Sequence, residues 1–224
     1  VVIPALDEER SLPLVLGDLP PVGWVFVVDN GSTDNTAQVA ESAGAQVISE
    51  PRRGYGSACL AGIAQARAAG AEIIVILDGD HADEPALIDR LLQPILDGAA
   101  DLVLSDRTQL AEPDALLPHQ RHGNRLATAL IHLATGHRYA DMGPFRAVRT
   151  DALARLDMQD RNYGWNVEMQ MKAIQRGLRV REVPMPYRTR VGVSKISGTL
   201  RGTVAAGSKI IWSVWRYHDG GRRV

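Results

Sequence analysis

Cysteine is almost missing from this chain of 224 residues: Cys59 stands alone. A lone cysteine forms no intrachain disulfide and no cysteine-based zinc site, and it suits a reducing compartment. Long apolar runs are missing as well. No unbroken run exceeds the five residues of Ile73 to Leu77, far short of the roughly 20 that a membrane-spanning helix needs. Neither sign of charge is in excess, with 25 Lys and Arg against 26 Asp and Glu. There is thus no global basic field for nucleic acid, and a polyanionic partner must be held locally. Val1 to Pro4 reads as a strand entering a loop rather than as a secretory leader, and no internal repeat or low-complexity linker is visible. What remains, 45% hydrophobic and 23% charged residues, is the composition of a folded globular body, expected in the cytoplasm.

Val25 to Val28, Val47-Ile48, Ile73 to Leu77 and Leu102 to Leu104 are short β-rich runs that end near Asp, Ser or Gly. Such runs predict strands buried on both faces, as in a parallel sheet. Helical patterns lie between them, at about Glu8 to Leu16, Asn35 to Ala43, Ser57 to Ala69 and Pro85 to Leu96. Thr33 or Asp34 is placed to cap the second, while Gly44 and Gly70 stand where helix C-termini need them. The alternation implies βαβ units in an open α/β sheet, whose ligands bind at the carboxyl ends of strands. After Ser105 it breaks. A polar loop from Thr108 to Pro118 precedes a helix from about His119 to Thr135, the segment Asp141 to Arg146, a helix around Val167 to Gln175, and a strand near Val180 to Pro184.

The sharpest feature is Asp78-Gly79-Asp80-His81-Ala82-Asp83-Glu84, directly after the most hydrophobic strand. Four carboxylates without a cation among them repel one another, and hard oxygen ligands of this kind bind Mg²⁺ or Mn²⁺ together with substrate phosphates. A solvated turn before an acidic helix start is the other reading, and it accounts better for Asp83 and Glu84 than for Asp78 and Asp80. Asp29 to Asp34 is a second acidic loop at a strand end, and Pro4 to Glu8 is a third. Carboxylates there accept hydrogen bonds from ribose hydroxyls or a base N–H, or cap a helix, as expected of Asp34. Arg52-Arg53-Gly54-Tyr55-Gly56-Ser57 offers guanidinium charge and backbone N–H groups to a phosphate, or makes a plain turn.

Taken in order, Pro4 with Glu8, Asp-Asn-Gly-Ser-Thr-Asp at 29–34, Arg-Gly-Tyr-Gly at 53–56 and Asp-Gly-Asp at 78–80 resemble family 2 glycosyltransferases of the GT-A fold. Within them the chain is similar to the dolichyl- and polyprenyl-phosphate hexosyltransferases. Ser105-Asp106-Arg107, Asp141 to Arg146, and Arg188-x-Arg190-x-Gly192-x-Ser194-Lys195 carry the likeness through the second half. The resemblance implies a mostly parallel open sheet flanked by helices, in one domain. About 1–107 would bind the nucleotide sugar, 108–198 would cover the acceptor, and 199–224 would form an amphipathic helix and tail.

The resemblance further implies that Pro4, Leu6, Glu8 and Asp29 hold the nucleoside of a UDP- or GDP-sugar, with Arg53, Gly54 and Gly79 completing the donor site. Asp78 and Asp80 would hold Mg²⁺ or Mn²⁺ and the diphosphate. Relatives often carry Gln where this chain has Ala82, which leaves His81 or Asp83 as candidate substitutes.

In such a transfer the diphosphate leaves as an anion while positive charge develops at the anomeric carbon. A lipid phosphate acceptor is already ionised and needs cations more than a base. Arg107, Arg146, Arg188, Arg190 and Lys195 are the candidates, with Asp141 and Ser194 in the same acceptor motifs. A hydroxyl acceptor would instead need Asp141 or Glu168 as a base. A noncatalytic nucleotide-sugar sensor would use the donor residues alone. Trp212, Trp215, Lys209 and Arg216 lie in a helical pattern that either packs on the core or lies in a membrane interface, giving peripheral contact at its inner face.

Overall fold

The computed structural model describes residues 1–192 and 211–218. The apolar runs form β1 (Val2–Ala5), β2 (Phe26–Asp29), β3 (Gln46–Ser49), β4 (Ile73–Ile76) and β5 (Leu102–Asp106). Their side chains alternate between two cores. Val2, Phe26, Val28, Ile74 and Ile76 enter one, and Ile3, Val27, Val75 and Leu77 the other. Full burial of each large apolar side chain contributes about 1.5–3 kcal/mol, so a run that is apolar at every position favours a strand covered on both faces.

The helices supply those covers. α1 (Leu12–Asp18), α2 (Thr36–Ser42) and α4 (Ile88–Leu96) pack on one face. α3 (Tyr55–Ala68), α5 (Pro118–Thr135), α6 (Thr150–Leu156) and α7 (Trp165–Gln175) lie on the other, where Cys59 is buried. α1 starts at Leu12 rather than near Glu8 because residues 8–11 form a turn. There Glu8 N–H donates to Thr36 Oγ1 at 2.7 Å and Ser11 Oγ to Glu8 Oε2 at 2.5 Å. Gly44 and Gly70 take positive φ just beyond α2 and α3, in the position expected of them.

With β6 (Arg146–Arg149) and β7 (Val180–Pro184) the sheet has the order β3-β2-β1-β4-β6-β5-β7. β6 alone runs antiparallel, with Ile74 opposite Val148 and Val103 opposite Ala147, and all other pairings are parallel. β6 and α6 were not expected from the sequence, because the strand holds only Ala147 and Val148 between two arginines. The parallel strands share one carboxyl edge, which gathers the loops after β1, β2, β4 and β5 in one place.

Candidate active site

The loop after β2 is held by its own polar side chains and by those of the loop after β1. Asp29 Oδ1 accepts from Ser32 N–H at 3.0 Å, and Asp7 Oδ1 accepts from Thr33 N–H at 2.7 Å. The N-cap of α2 is Asn35 rather than Thr33 or Asp34; Asp34 stands one residue before it, its carboxylate accepting from Thr36 N–H at 3.0 Å and from Glu9 N–H at 3.2 Å. Buried Asn30 reaches sideways to the next loop. Its amide donates to Glu50 O at 2.9 Å and Arg52 O at 2.8 Å and accepts from Gly54 N–H at 2.7 Å. That loop is then pressed against residues 159–164. A Cβ on Gly54, whose φ is +133°, would lie 2.1 Å from Arg161 O, and one on Gly56 would lie 2.0 Å from Asp160 O. Only glycine allows this approach.

A cavity of about 450 Å³ opens between these loops. Pro4, Leu6 and Glu8 line it from the first loop, Arg53 and Gly54 from the third, and Asp78 to Asp80 from the end of β4. Asp29 does not line it, since its carboxylate turns into its own loop, whereas Asn30 does.

Asp78 Oδ1 accepts from the Tyr55 hydroxyl at 2.9 Å. Asp80 Oδ1 accepts from Ala82 N–H at 3.0 Å, and its Oδ2 lies 2.9 Å from the Arg190 guanidinium. Burial, and then the charge of Asp80, pushes the Asp78 carboxyl up to about 6. The rest of the acidic run points elsewhere. His81, with φ +60°, turns to Asp18 at 2.8 Å, and Glu84 pairs with Arg188 at 2.5 Å. Asp83 is buried, neither of its carboxylate oxygens has a partner among the described residues, and burial followed by the Asp78 charge pushes it well above the ordinary range. Among the described residues no cluster of three or more His, Cys, Asp or Glu forms a metal site. Neither His81 nor Asp83 joins Asp78 and Asp80 in lining the cavity.

A second cavity, of about 960 Å³, adjoins the first and is lined by Arg107, Asp141, Tyr187 and the first half of α5. Arg107 grips Asp141 bidentately, at 2.6 and 2.9 Å, and lies 4.8 Å from the centre of the Tyr187 ring. Burial alone would raise the Asp141 carboxyl, but the Arg107 guanidinium bonded to it outweighs this and holds it below the usual range. Asp78, Gln120, Tyr163 and Arg190 line both cavities. Whatever passes from one to the other passes them.

The sequence profile of Glycosyl transferase family 2 matches residues 1–157. The chain belongs to that family. It is 40% identical over 211 residues to an uncharacterised glycosyltransferase of Mycobacterium tuberculosis, with 92% of this chain and 93% of that one aligned. The undecaprenyl-phosphate mannosyltransferase of Micrococcus luteus is 31% identical over 216 residues, covering 90% of this chain and 88% of that one. Among solved structures, the glucosyl-3-phosphoglycerate synthase of M. tuberculosis, in complex with Mn²⁺, UDP and phosphoglyceric acid, superposes with a TM-score of 0.78 at 22% identity. That match covers 98% of this chain and 77% of the other. The GT-A arrangement expected from the resemblance is the fold observed.

Within this glycosyltransferase several expected site residues take other places. Arg146 is wholly buried and lines neither cavity. Its guanidinium donates to Pro144 O at 3.2 Å and to Gly143 O, because β6 carries it into the interior. Glu168 is also fully buried. It pairs with Lys172 at 2.6 Å and accepts from Gln159 N–H at 2.9 Å and Asp160 N–H at 2.7 Å, so it pins a loop and lines neither cavity. Asp141 lines the second cavity, but both of its oxygens are committed to Arg107. Arg188 turns to Glu84 and Asp18. Ser194 and Lys195 lie outside the described residues. Missed in the sequence were Asn162 in the first cavity, Tyr163 and Gln120 at the junction, and Arg121 and Arg125 in the second cavity. The basic stretch His119 to Arg125 was the available signal for the last two.

Proposed function

We propose that the enzyme transfers a hexose, with inversion, from a UDP- or GDP-sugar to a polyprenyl phosphate at a membrane surface. The observation that carries this is the state of the carboxylates in the second cavity. Asp78 and Asp141 are the only ones among its described lining residues; Asp78 is shared with the donor side, and Asp141 is held by Arg107. A hydroxyl acceptor needs a base, which here would fall to the imidazoles of His119 or His122, whereas an ionised phosphate needs cations, and Arg107, Arg121, Arg125 and Arg190 line this space. The M. luteus relative named for undecaprenyl phosphate supports the same acceptor class.

The donor reading has Pro4, Leu6 and Glu8 seat the nucleoside and Arg53 face its phosphates. Asp78 and Asp80 fit Mg²⁺ or Mn²⁺: they are hard oxygen donors at one strand end, and one of their oxygens already attracts a cation, Arg190. With two carboxylates, the remaining positions fall to diphosphate and water, the usual arrangement for Mg²⁺. The bound ion supplies charge neutralisation at the departing diphosphate. The Mn²⁺ and UDP in the solved neighbour support this.

Residues 211–217 are helical and support membrane contact. Val214 and Tyr217 are buried in the core, while Ile211, Trp212 and Trp215 are 54%, 40% and 60% exposed. A tryptophan-bearing face held outward suits a lipid headgroup layer. A polyprenyl chain leaves a bilayer at a cost of about 0.8 kcal/mol per exposed methylene, so the enzyme must go to the lipid. Among the described residues no helix is long and apolar enough to cross a membrane. The remainder of the expected helix, 199–210, lies outside those described.

Release of nucleoside diphosphate tests the reading. It should require polyprenyl phosphate in vesicles together with Mn²⁺ or Mg²⁺, and chelation should stop it. Donor binding without release on any lipid phosphate would favour the sensor, and release driven by a soluble hydroxyl acceptor would favour the other enzyme.

A further inference from the structure

The two carboxylate oxygens of Asp80 have different partners. Its Oδ1 is engaged by Ala82 N–H at 3.0 Å, and its Oδ2 lies 2.9 Å from the Arg190 guanidinium. A divalent ion bound through Asp80 Oδ2 would bring a second cation against the atom that Arg190 holds, and the two charges would repel, so that one favours the departure of the other. The backbone around Arg190 is fixed. Val191 N–H donates to Asp80 O at 2.9 Å, Arg188 N–H donates to Ala82 O at 2.7 Å, and Tyr187 forms a β-bridge with Asp83. The side chain can leave Asp80 while its anchor stays. It lines both cavities, so a guanidinium released there remains at their junction, where the phosphates of either substrate would meet.

We propose that Arg190 is an exchangeable cation. It neutralises Asp80 until a divalent ion takes Oδ2, and its guanidinium then turns to substrate phosphate. No bond is made or broken; one charge-assisted hydrogen bond is traded for another. The ion and the phosphate thereby favour each other's binding, and by linkage the effect is reciprocal. Without phosphate, Arg190 holds the ion off. Metal would thus load with the diphosphate rather than ahead of it, and the acceptor phosphate would find its cation only after the donor side is filled. This rests on the metal-dependent donor site proposed above.

The test uses the full chain and its Arg190→Gln and Arg190→Lys variants, with free Mn²⁺ followed by electron paramagnetic resonance in the absence of nucleotide. Arg190→Gln should bind Mn²⁺ about tenfold more tightly than wild type, because its competitor is gone. Arg190→Lys, which keeps the charge, should stay close to wild type. UDP and GDP, titrated by calorimetry with saturating Mn²⁺, should give the opposite order, with the nucleotide that wild type binds weakened about tenfold in Arg190→Gln. A merely structural arginine would weaken both ligands together. Unchanged or weaker Mn²⁺ binding in Arg190→Gln overturns the exchange. Asp80→Asn separates this from the underlying reading: if that variant binds Mn²⁺ as wild type does, the metal site itself is wrong.

Discussion

Asp80→Asn lowers turnover by about a thousandfold, equivalent to about 4 kcal/mol of transition-state stabilisation, and leaves the chain folded. The substitution keeps an oxygen for Ala82 N–H, the contact that shapes the turn after β4, and removes only the charge. The ion pair with Arg190 is lost; Asp80 is buried, but the Arg190 side chain keeps access to solvent, which limits the cost to about 1 kcal/mol. In partial compensation, Asp78 is relieved of the neighbour whose charge, after burial, helps to push it up to about 6. The melting temperature should therefore stay within a few degrees of wild type, since ~1 kcal/mol shifts a chain of this size by only about 2–4 °C. Steady-state kinetics with Mn²⁺ and a thermal melt measure both. Full activity of Asp80→Asn in the presence of a chelator would remove the ion from the account.

Glu168→Ala has its main effect on the fold, costing about 3–5 kcal/mol, a large share of the stability of an ordinary domain. The carboxylate accepts from two backbone N–H groups and from the Lys172 ammonium, and the residue is fully buried. Alanine strands the two backbone donors. Lys172 keeps its bond to Asp157 O at 2.5 Å and its place 5.3 Å from the centre of the Tyr217 ring, but loses its counter-charge. The loop it frees carries Asn162 and Tyr163, which line the donor cavity, so turnover falls with stability. Urea unfolding should show an earlier midpoint for Glu168→Ala and a smaller shift for Glu168→Gln. Wild-type stability together with loss of turnover only on hydroxyl acceptors would restore Glu168 as a base.

The first half of the fold was legible because its central strands are short apolar runs, whereas the edge strand β3 keeps only Val47 and Ile48 apolar and is half-exposed. The run Ile73 to Leu77 marked Asp78 and Asp80 as a strand-end pair, either metal ligands or a solvated turn, and the family resemblance, rather than the strand rule, gave Pro4, Leu6, Glu8, Arg53 and Gly54 their expected donor roles. β6 was illegible because Arg146 at its head reads as a surface or ligand-binding charge. Its partners are carbonyls at Gly143 and Pro144 that only the folded turn presents. Arg107 and Asp141, 34 residues apart, could not be paired from sequence. Glu168 and Lys172 could have been, since four residues on a helix place them side by side. Asn162 and Tyr163 reach the site only because Gly54 and Gly56 admit the loop that carries them.

Transfer of labelled hexose tests the central claim most directly. The enzyme is mixed with a panel of UDP- and GDP-hexoses, vesicles containing polyprenyl phosphate, and either Mn²⁺ or chelator, and the label is counted in the solvent-extractable lipid. Label should enter the lipid from at least one donor, only with the ion present, and fall to background with Asp80→Asn. Label that stays in water-soluble products, or that enters lipid equally well under chelation, would contradict it.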